Sequence, residues 1–341
     1  MRVVADPVRT TRAFEVRVSA VRSLGPHLRR LTFASEDLRF FGADPHGRTL
    51  DLRVKLVIPV PGQPRPDLAR IFADSSENWY QTWLSLDPDR RGFLRTYTIR
   101  ERRLEAGEVD IDFVLHPAGA ESGSSGHGSS GPAGEWAASA QVGDPMLILG
   151  PNLAAEVCLG IEFAPGTATS LLLVADETAV PAVGAILESL APTARGTAIL
   201  EVPEAADFQD LLMPPGVNVY WLARGARPPG ELLLARLREV FAPDVGRGPA
   251  GSAAVPGRQL TGHLATGYQA TGHLEVLWDV PEEAGIEPSV SGPSAMERPY
   301  AWVAGEAGLV RGVRRYLLRE CGLDRSQAAF MGYWKLGQAQ T

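Results

Sequence analysis

Ser170-Leu171-Leu172-Leu173-Val174-Ala175-Asp176-Glu177-Thr178-Ala179-Val180-Pro181-Ala182 changes its grammar midway, and that change decides the fold of the second half of the chain. Leu171 to Val174 is apolar without interruption, so it offers no face to water and reads as a strand covered on both sides. From Val180 to Leu190 the apolar residues return at helical spacing. Further strands are expected at Thr197 to Val202, Val217 to Ala223, Leu274 to Trp278 and Tyr300 to Ala304, with helices at Gly230 to Phe241 and Gly308 to Cys321. Alternating buried strands and crossover helices predict a Rossmann-like, doubly wound α/β domain.

Upstream of Thr169 the period is two instead. Phe14 to Val18, His27 to Phe33, Asp51 to Ile58, Thr96 to Arg100, Val109 to Leu115 and Pro145 to Leu149 alternate apolar and polar residues, as half-buried strands do. An antiparallel barrel is the architecture that six such strands imply. Two stretches break the pattern and read as surface insertions: Gly119 to Gly131, nearly all Gly, Ser and Ala, and Pro243 to Thr271, with Thr261-Gly262-His263-Leu264 echoed at Thr271-Gly272-His273-Leu274.

A length of 341 residues suits two domains, and 45% hydrophobic with 21% charged residues excludes a disordered chain. Lys and Arg number 33 against 40 Asp and Glu, a net charge of −7 that argues against nucleic acid or an anionic membrane as partner. Two cysteines, Cys158 and Cys321, are too few for an iron–sulfur cluster and suit a reducing compartment, so the cytoplasm is expected. Met1 to Pro7 carries no apolar core of a secretory signal, and the longest apolar run stops at Asp176, which predicts no membrane span. The six histidines show no ligand spacing, and no metal site is expected; nor is there a P-loop, a His-Glu-x-x-His or a Gly-x-Ser-x-Gly.

Two segments carry chemistry. Arg95-Thr96-Tyr97-Thr98-Ile99-Arg100 sets Arg95, Tyr97 and Ile99 on one strand face and Thr96, Thr98 and Arg100 on the other. An arginine, an aromatic ring and hydroxyls gathered there can hold a phosphate and a ring system together, or simply face water. Gly126 to Gly131 spells Gly-x-Gly-x-x-Gly, a match that arises by chance in a Gly/Ser tract. Its end, Gly131-Pro132-Ala133-Gly134, precedes a short helical stretch, either an anion-binding helix start or an ordinary proline at a first turn.

Taken together, Arg95-x-Tyr97-Thr98-x-Arg100, Asp112 to His116, Gly131-Pro132-Ala133 with Trp136-Ala137, Tyr300 to Glu306 and Gly332-Tyr333-Trp334-Lys335 resemble the siderophore-interacting protein family of flavin-dependent ferric-siderophore reductases. The resemblance spans nearly the whole chain in order. It implies an FAD-binding β-barrel over residues 12–155 and a ferredoxin-reductase-like NAD(P)H-binding domain over 165–341. It further implies FAD contacts from Arg95, Thr96, Tyr97, Thr98, Val114, His116, Gly131, Pro132, Ala133, Trp136 and Ala137. The turns at Asp176, Thr178 and Ala179 and at Gly305 and Glu306 would meet NADPH or NADH, with Arg311, Arg314 and Arg315 leaning towards a 2′-phosphate. Asp or Thr before an apolar run is otherwise an N-cap.

The chain has only two lysines, Lys55 and Lys335, at positions that in this family line the substrate pocket, where an ammonium would attract an anionic ferric siderophore. Asn152, after Gly150-Pro151, stands where relatives carry a basic or small residue. The activity implied is electron transfer from NAD(P)H through FAD to siderophore-bound Fe(III), in a monomer. Ferredoxin as donor, a flavin-containing siderophore carrier without turnover, and a general flavin or cytochrome reductase stand as alternatives.

Overall fold

The computed structural model describes residues 9–63, 67, 79–115, 131–242, 277–281 and 299–337. Six strands close a barrel in the order β1-β2-β5-β4-β3-β6: β1 (Thr11–Ser23), β2 (Leu28–Ala34), β3 (Arg53–Ile58), β4 (Phe93–Arg103), β5 (Glu108–Val114) and β6 (Pro145–Pro151). Every pairing within it is antiparallel, so the alternating sequence becomes a fully closed sheet with no free edge. Phe14, Leu31, Phe33, Leu56, Ile99, Ile111 and Phe113 fill the interior. Two short helices flank the barrel: α1 (Trp79–Ser85), which the sequence reading did not anticipate, and α2 (Pro132–Ser139), whose Ala133 and Ala137 pack into the barrel core. Arg29 fastens the far end of α2 by donating to the carbonyls of Ala137 (2.9 Å), Ala138 and Ala140 (3.2 Å).

The second sheet runs β10-β12-β11-β7-β8-β9, from β7 (Ser170–Asp176), β8 (Arg195–Val202), β9 (Gly216–Ala223), β10 (Trp278–Asp279), β11 (Tyr300–Glu306) and β12 (Ala328–Trp334). All pairings are parallel except that of β10 with β12. Helices α3 (Val180–Ser189), α4 (Glu231–Val240) and α5 (Ala307–Arg315) cover it. Leu171 and Leu173 face one core with Ile186 of α3, while Leu172 and Val174 face the other with Leu233 of α4 and Val310 of α5. That double burial is why the strand carries no alternation.

Strand β12 was not foreseen, because Ala328-Ala329-Phe330-Met331-Gly332 has neither alternation nor β-branched residues; its burial between β10 and β11 compensates. The expected single helix from Gly308 to Cys321 divides into α5 and a π-turn at Tyr316–Glu320. Of the strand expected at Leu274 to Trp278, residues 274–276 lie outside the described residues, as do His116, 119–130 and 243–271. Among the described residues no helix is long and apolar enough to cross a membrane.

Buried polar contacts tie the two sheets together. The Asp51 carboxylate, fully buried just before β3, accepts from the backbone N–H of Glu162 (3.1 Å) and Phe163 (3.0 Å) and from Trp302 Nε1 on β11 (2.9 Å). Burial pushes its carboxyl above the ordinary range, with the Trp302, Phe163 and Arg53 interactions opposing. Leu50, immediately before it, has φ 52, a left-handed conformation in a residue other than glycine, so the approach to Asp51 is held by its surroundings. His27 meets Asp207 through its backbone N–H (2.9 Å) and Nδ1 (2.8 Å). Arg100 of β4 pairs in a fork with Glu188 of α3, and a side chain at Gly184 would press against its guanidinium.

Replacing Asp51 tests this joint. Asp51→Ala leaves three buried donors without acceptors and is expected to cost about 3 kcal/mol, whereas Asp51→Asn, which keeps one acceptor oxygen, costs about half as much. Urea unfolding followed by tryptophan emission measures both; an Asp51→Ala variant as stable as the parent would remove Asp51 from this role.

Candidate functional site

Strand β4 is placed with one face on the barrel end and the other on the second sheet. Its pairing with β3 sets Arg95 opposite Leu56 and Tyr97 opposite Val54, both on the barrel's inner side, while Thr96 lies opposite Lys55 and Thr98 opposite Arg53 on the outer side. Tyr97 is half-buried, its ring centroid 4.4 Å from that of Phe113, and burial pushes its phenol well above the ordinary range. Trp136 of α2 stacks on Phe33 at 6.3 Å and leans on Phe113 at 6.0 Å, so the aromatic group at the barrel mouth is continuous with the helix.

Arg95 is the conspicuous charge here. Its guanidinium lies over Phe93 (5.7 Å), and among the described residues its one hydrogen bond goes to the neighbouring Leu94 carbonyl (2.9 Å). Burial holds it below the ordinary arginine range, with no carboxylate opposing. A half-buried arginine without a carboxylate is a ready partner for a phosphate. The start of α2 has matching character. Gly131 is its N-cap, no side chain caps it, Pro132 occupies the first turn, and the space where a Gly131 Cβ would stand is open. Backbone N–H groups at such a start favour an anion. The side chains of Ala133 and Ala137 are taken up by the barrel core. Val114 ends β5 opposite Leu28, half-buried beside this end of the barrel.

On the outer face Lys55 Nζ donates to Thr96 Oγ1 at 2.6 Å. Burial first, and then the charges of Arg53 and Arg95, bring the Lys55 ammonium down to about 8. Arg53 itself bonds Glu162 (2.5 Å) and lies 4.1 Å over the ring of Trp278. Trp278 stacks on Tyr333 of β12 at 6.3 Å, and Tyr333 reaches Thr98. Thr96, Thr98 and Lys55 thus share a wall with the aromatic residues of β10 and β12.

The second group of expected residues meets at the carboxyl edge of the second sheet, where strand order reverses between β7 and β11. Asp176 Oδ1 accepts from Thr178 N (2.9 Å) and Oγ1 (2.5 Å), and Oδ2 from Glu306 N (2.6 Å) and Trp334 Nε1 (2.8 Å). Gly305, at φ 147, packs so closely on this carboxylate that a Cβ would stand 2.6 Å from Oδ2. Burial and then the charge of Glu177 push the Asp176 carboxyl up to about 7. Ala179 precedes α3, its N–H bonded to the Asp176 carbonyl (3.0 Å). Glu306 caps α5 through Gly308 N and Leu309 N (2.9 Å). Lys335 follows Trp334 and is half-buried.

Several residues that shape these sites escaped the sequence reading. Asp51 and Trp302 read as a strand flank and a core residue, because nothing local marks a contact between residues 251 apart. Glu201 accepts from Gly230 N (2.6 Å) and Leu233 N (3.1 Å) at the start of α4, and Glu177 pairs in a fork with Arg224 (2.6 Å twice). Arg314, expected near a 2′-phosphate, pairs instead with Asp279 (2.8 Å), which Arg325 also joins. Among the described residues no cluster of three His, Cys, Asp or Glu is placed to hold a metal ion.

Comparison with known proteins adds the following. The family model described as siderophore-interacting FAD-binding domain matches residues 17–155, and that described as siderophore-interacting protein matches 168–337. An uncharacterized protein of Mycobacterium tuberculosis is 36% identical over 225 residues, 64% of this chain and 67% of its own length. The ferric vibriobactin reductase ViuB of Vibrio cholerae is 30% identical over 156 residues, 46% of this chain and 51% of that protein. The crystal structure of a siderophore utilization protein from T. fusca superposes with a TM-score of 0.61 at 26% identity, covering 97% of this chain and 96% of that one.

Lys55 offers a test that needs no ligand. Because its ammonium is harder to keep charged in the folded chain, the unfolded chain binds more protons between about pH 8 and the ordinary lysine value, and stability rises with pH across that window. Lys55→Met is expected to remove that rise; equal slopes for variant and parent in urea titrations from pH 7 to 10 would show that Lys55 is not held as described.

Proposed function

We propose that this chain, which belongs to the siderophore-interacting protein family, is an FAD-dependent reductase of siderophore-bound ferric iron that draws its electrons from NADPH or NADH. The observation that carries the reading is the pair of half-buried cations on β3 and β4. Arg95 and Lys55 face opposite sides of the same sheet with no carboxylate bonded to either among the described residues, and the family's FAD-binding model covers both. Residues 12–155 are then the flavin domain and 165–341 the donor domain.

In this reading Arg95 and the open start of α2, with Gly131 and Pro132, hold the diphosphate of FAD. Tyr97, Thr96 and Thr98 line its ring system, and Trp136 with Val114 closes the barrel end beside it. FAD, when bound, supplies the conversion of a two-electron donor into single-electron transfer. The chain's own part is to bind and orient. Lys55, and Lys335 at the end of β12, draw an anionic ferric complex to the aromatic wall of Trp278 and Tyr333. No side chain is required as general acid or base, since Fe(III) to Fe(II) moves only an electron. Hard oxygen ligands hold Fe(II) far less tightly, so reduction frees the iron. The vibriobactin reductase supports this substrate class, and a reducing cytoplasm suits the product.

Ferredoxin as donor is favoured by one specific observation: carboxylates of Asp176, Glu201 and Glu306 already occupy N–H donors at the carboxyl edge of the second sheet. With Arg314 tied to Asp279, Arg311 and Arg315 alone of the three arginines on this helix remain for a 2′-phosphate, and the lean towards NADPH over NADH weakens.

The purified protein is expected to be yellow, and under anaerobic conditions its flavin band should bleach on adding NADH or NADPH; a band that bleaches only with reduced ferredoxin would transfer the donor role. Adding ferric siderophore and a ferrous chelator should then develop colour. Arg95→Ala should lose at least nine-tenths of its flavin; full occupancy in that variant would sink the placement of the phosphates.

A further inference from the structure

Doubly wound sheets take a dinucleotide at the carboxyl edge, in the crevice where strand order reverses. In this chain that crevice is crossed by its own Trp334 side chain. Strand β12 pairs with β11 in regular parallel register through Gly332 opposite Gly305, and then shifts by one residue so that Trp334 stands opposite Glu306. This bulge marks where the regular pairing ends. Trp334 Nε1 reaches Asp176 Oδ2 at 2.8 Å, and Leu336 N reaches Glu306 Oε1 at 3.2 Å. The two acceptors sit at the ends of β7 and β11, the strands that flank the reversal, and their remaining lone pairs already serve Thr178, Glu306 N, Gly308 and Leu309. Residues 334–336 therefore span the crevice and are tied on both sides of it.

The tie is light at its outer end. Leu336 is 65% exposed, so among the described residues that end is held by one backbone hydrogen bond and little apolar burial, whereas Ala328 to Gly332 of β12 are buried and Tyr333 and Trp334 half-buried. A segment fixed firmly at one end and loosely at the other swings about the fixed end. The Glu306 carboxylate beneath it repels phosphate, as does Asp176 when ionised, so a dinucleotide gains its backbone contacts there only after the segment has moved and the donors now bonded to Asp176 and Glu306 are rearranged.

We propose that residues 334–336 form a strap across the crevice that a nicotinamide dinucleotide must displace, so that this segment sets how well NADH or NADPH competes with other electron donors. The proposal rests on the reading of the second domain as the donor domain. It assigns Trp334 and Leu336 a role in donor selectivity; they position the strap and take no part in electron transfer.

Two variants loosen it without altering the crevice carboxylates: Leu336→Pro removes the N–H that reaches Glu306, and Trp334→Phe keeps a ring but removes the indole N–H. Binding of NAD+ and NADP+, which cannot reduce flavin, is measured calorimetrically on the full chain with its FAD content recorded. Each variant is expected to bind at least one of the two about ten-fold more tightly than the parent. Equal affinities in parent and variants, equally absent binding included, would overturn the strap. Failure of the flavin reading is a separate result, a chain that takes up no FAD whatever its affinity for NAD+.

Discussion

The carboxylate of Asp51 is the most fully engaged of the polar groups by which the two halves of this molecule meet. It lies at the entrance to β3, is fully buried, and gathers donors from the segment linking the sheets and from the middle of β11. Placing a carboxyl group there is unfavourable, as its raised titration shows, and the three N–H groups around it would be equally unfavourable without it. Each half is tolerable only in the presence of the other. The candidate site depends on that joint, because its outer wall is made of β3 and β4 from the barrel and of β10 and β12 from the second sheet.

Strand β4 shows how one segment serves two environments. Alternation sends Arg95 and Tyr97 to the barrel mouth and Thr96, Thr98 and Arg100 to the outer face, where Thr96 meets Lys55 of β3 and Thr98 and Arg100 meet Tyr333 and Glu188 of the second half. Because the period is two, a one-residue slip in the pairing of β3 with β4 would exchange the two sets and leave the arginine facing the second sheet. The pairing is kept by the closed barrel, which permits no sliding edge.

Local patterns made most of this architecture legible. Alternation gave the barrel strands and continuous apolar runs gave β7, β8 and β11, since each pattern follows directly from the number of faces a strand buries. The residues of the carboxyl edge were also visible, as strand-to-helix turns at Asp176 and Glu306. What sequence could not carry was the direction in which those carboxylates point. An Asp before an apolar run reads the same whether its oxygens face a ligand or its own helix, and only the arrival of Trp334 and Glu306 N shows that Asp176 is engaged internally. Strand β12 and the contacts of Asp51 were hidden for a related reason, that their logic lies in partners far along the chain.

That distance has a consequence in time. Asp51 and Trp302 are separated by 251 residues, and His27 and Asp207 by 180. At a synthesis rate of about 5–20 residues per second, Asp51 leaves the ribosome roughly 10–50 seconds before its indole partner exists. Within that interval the last barrel strand, ending at Pro151, is made, while the carboxylate at the end of the barrel remains hydrated and ionised and the aromatic face it will cover has not been made. The charge that later locks the two sheets is thus withdrawn from water only after Trp302 has been made.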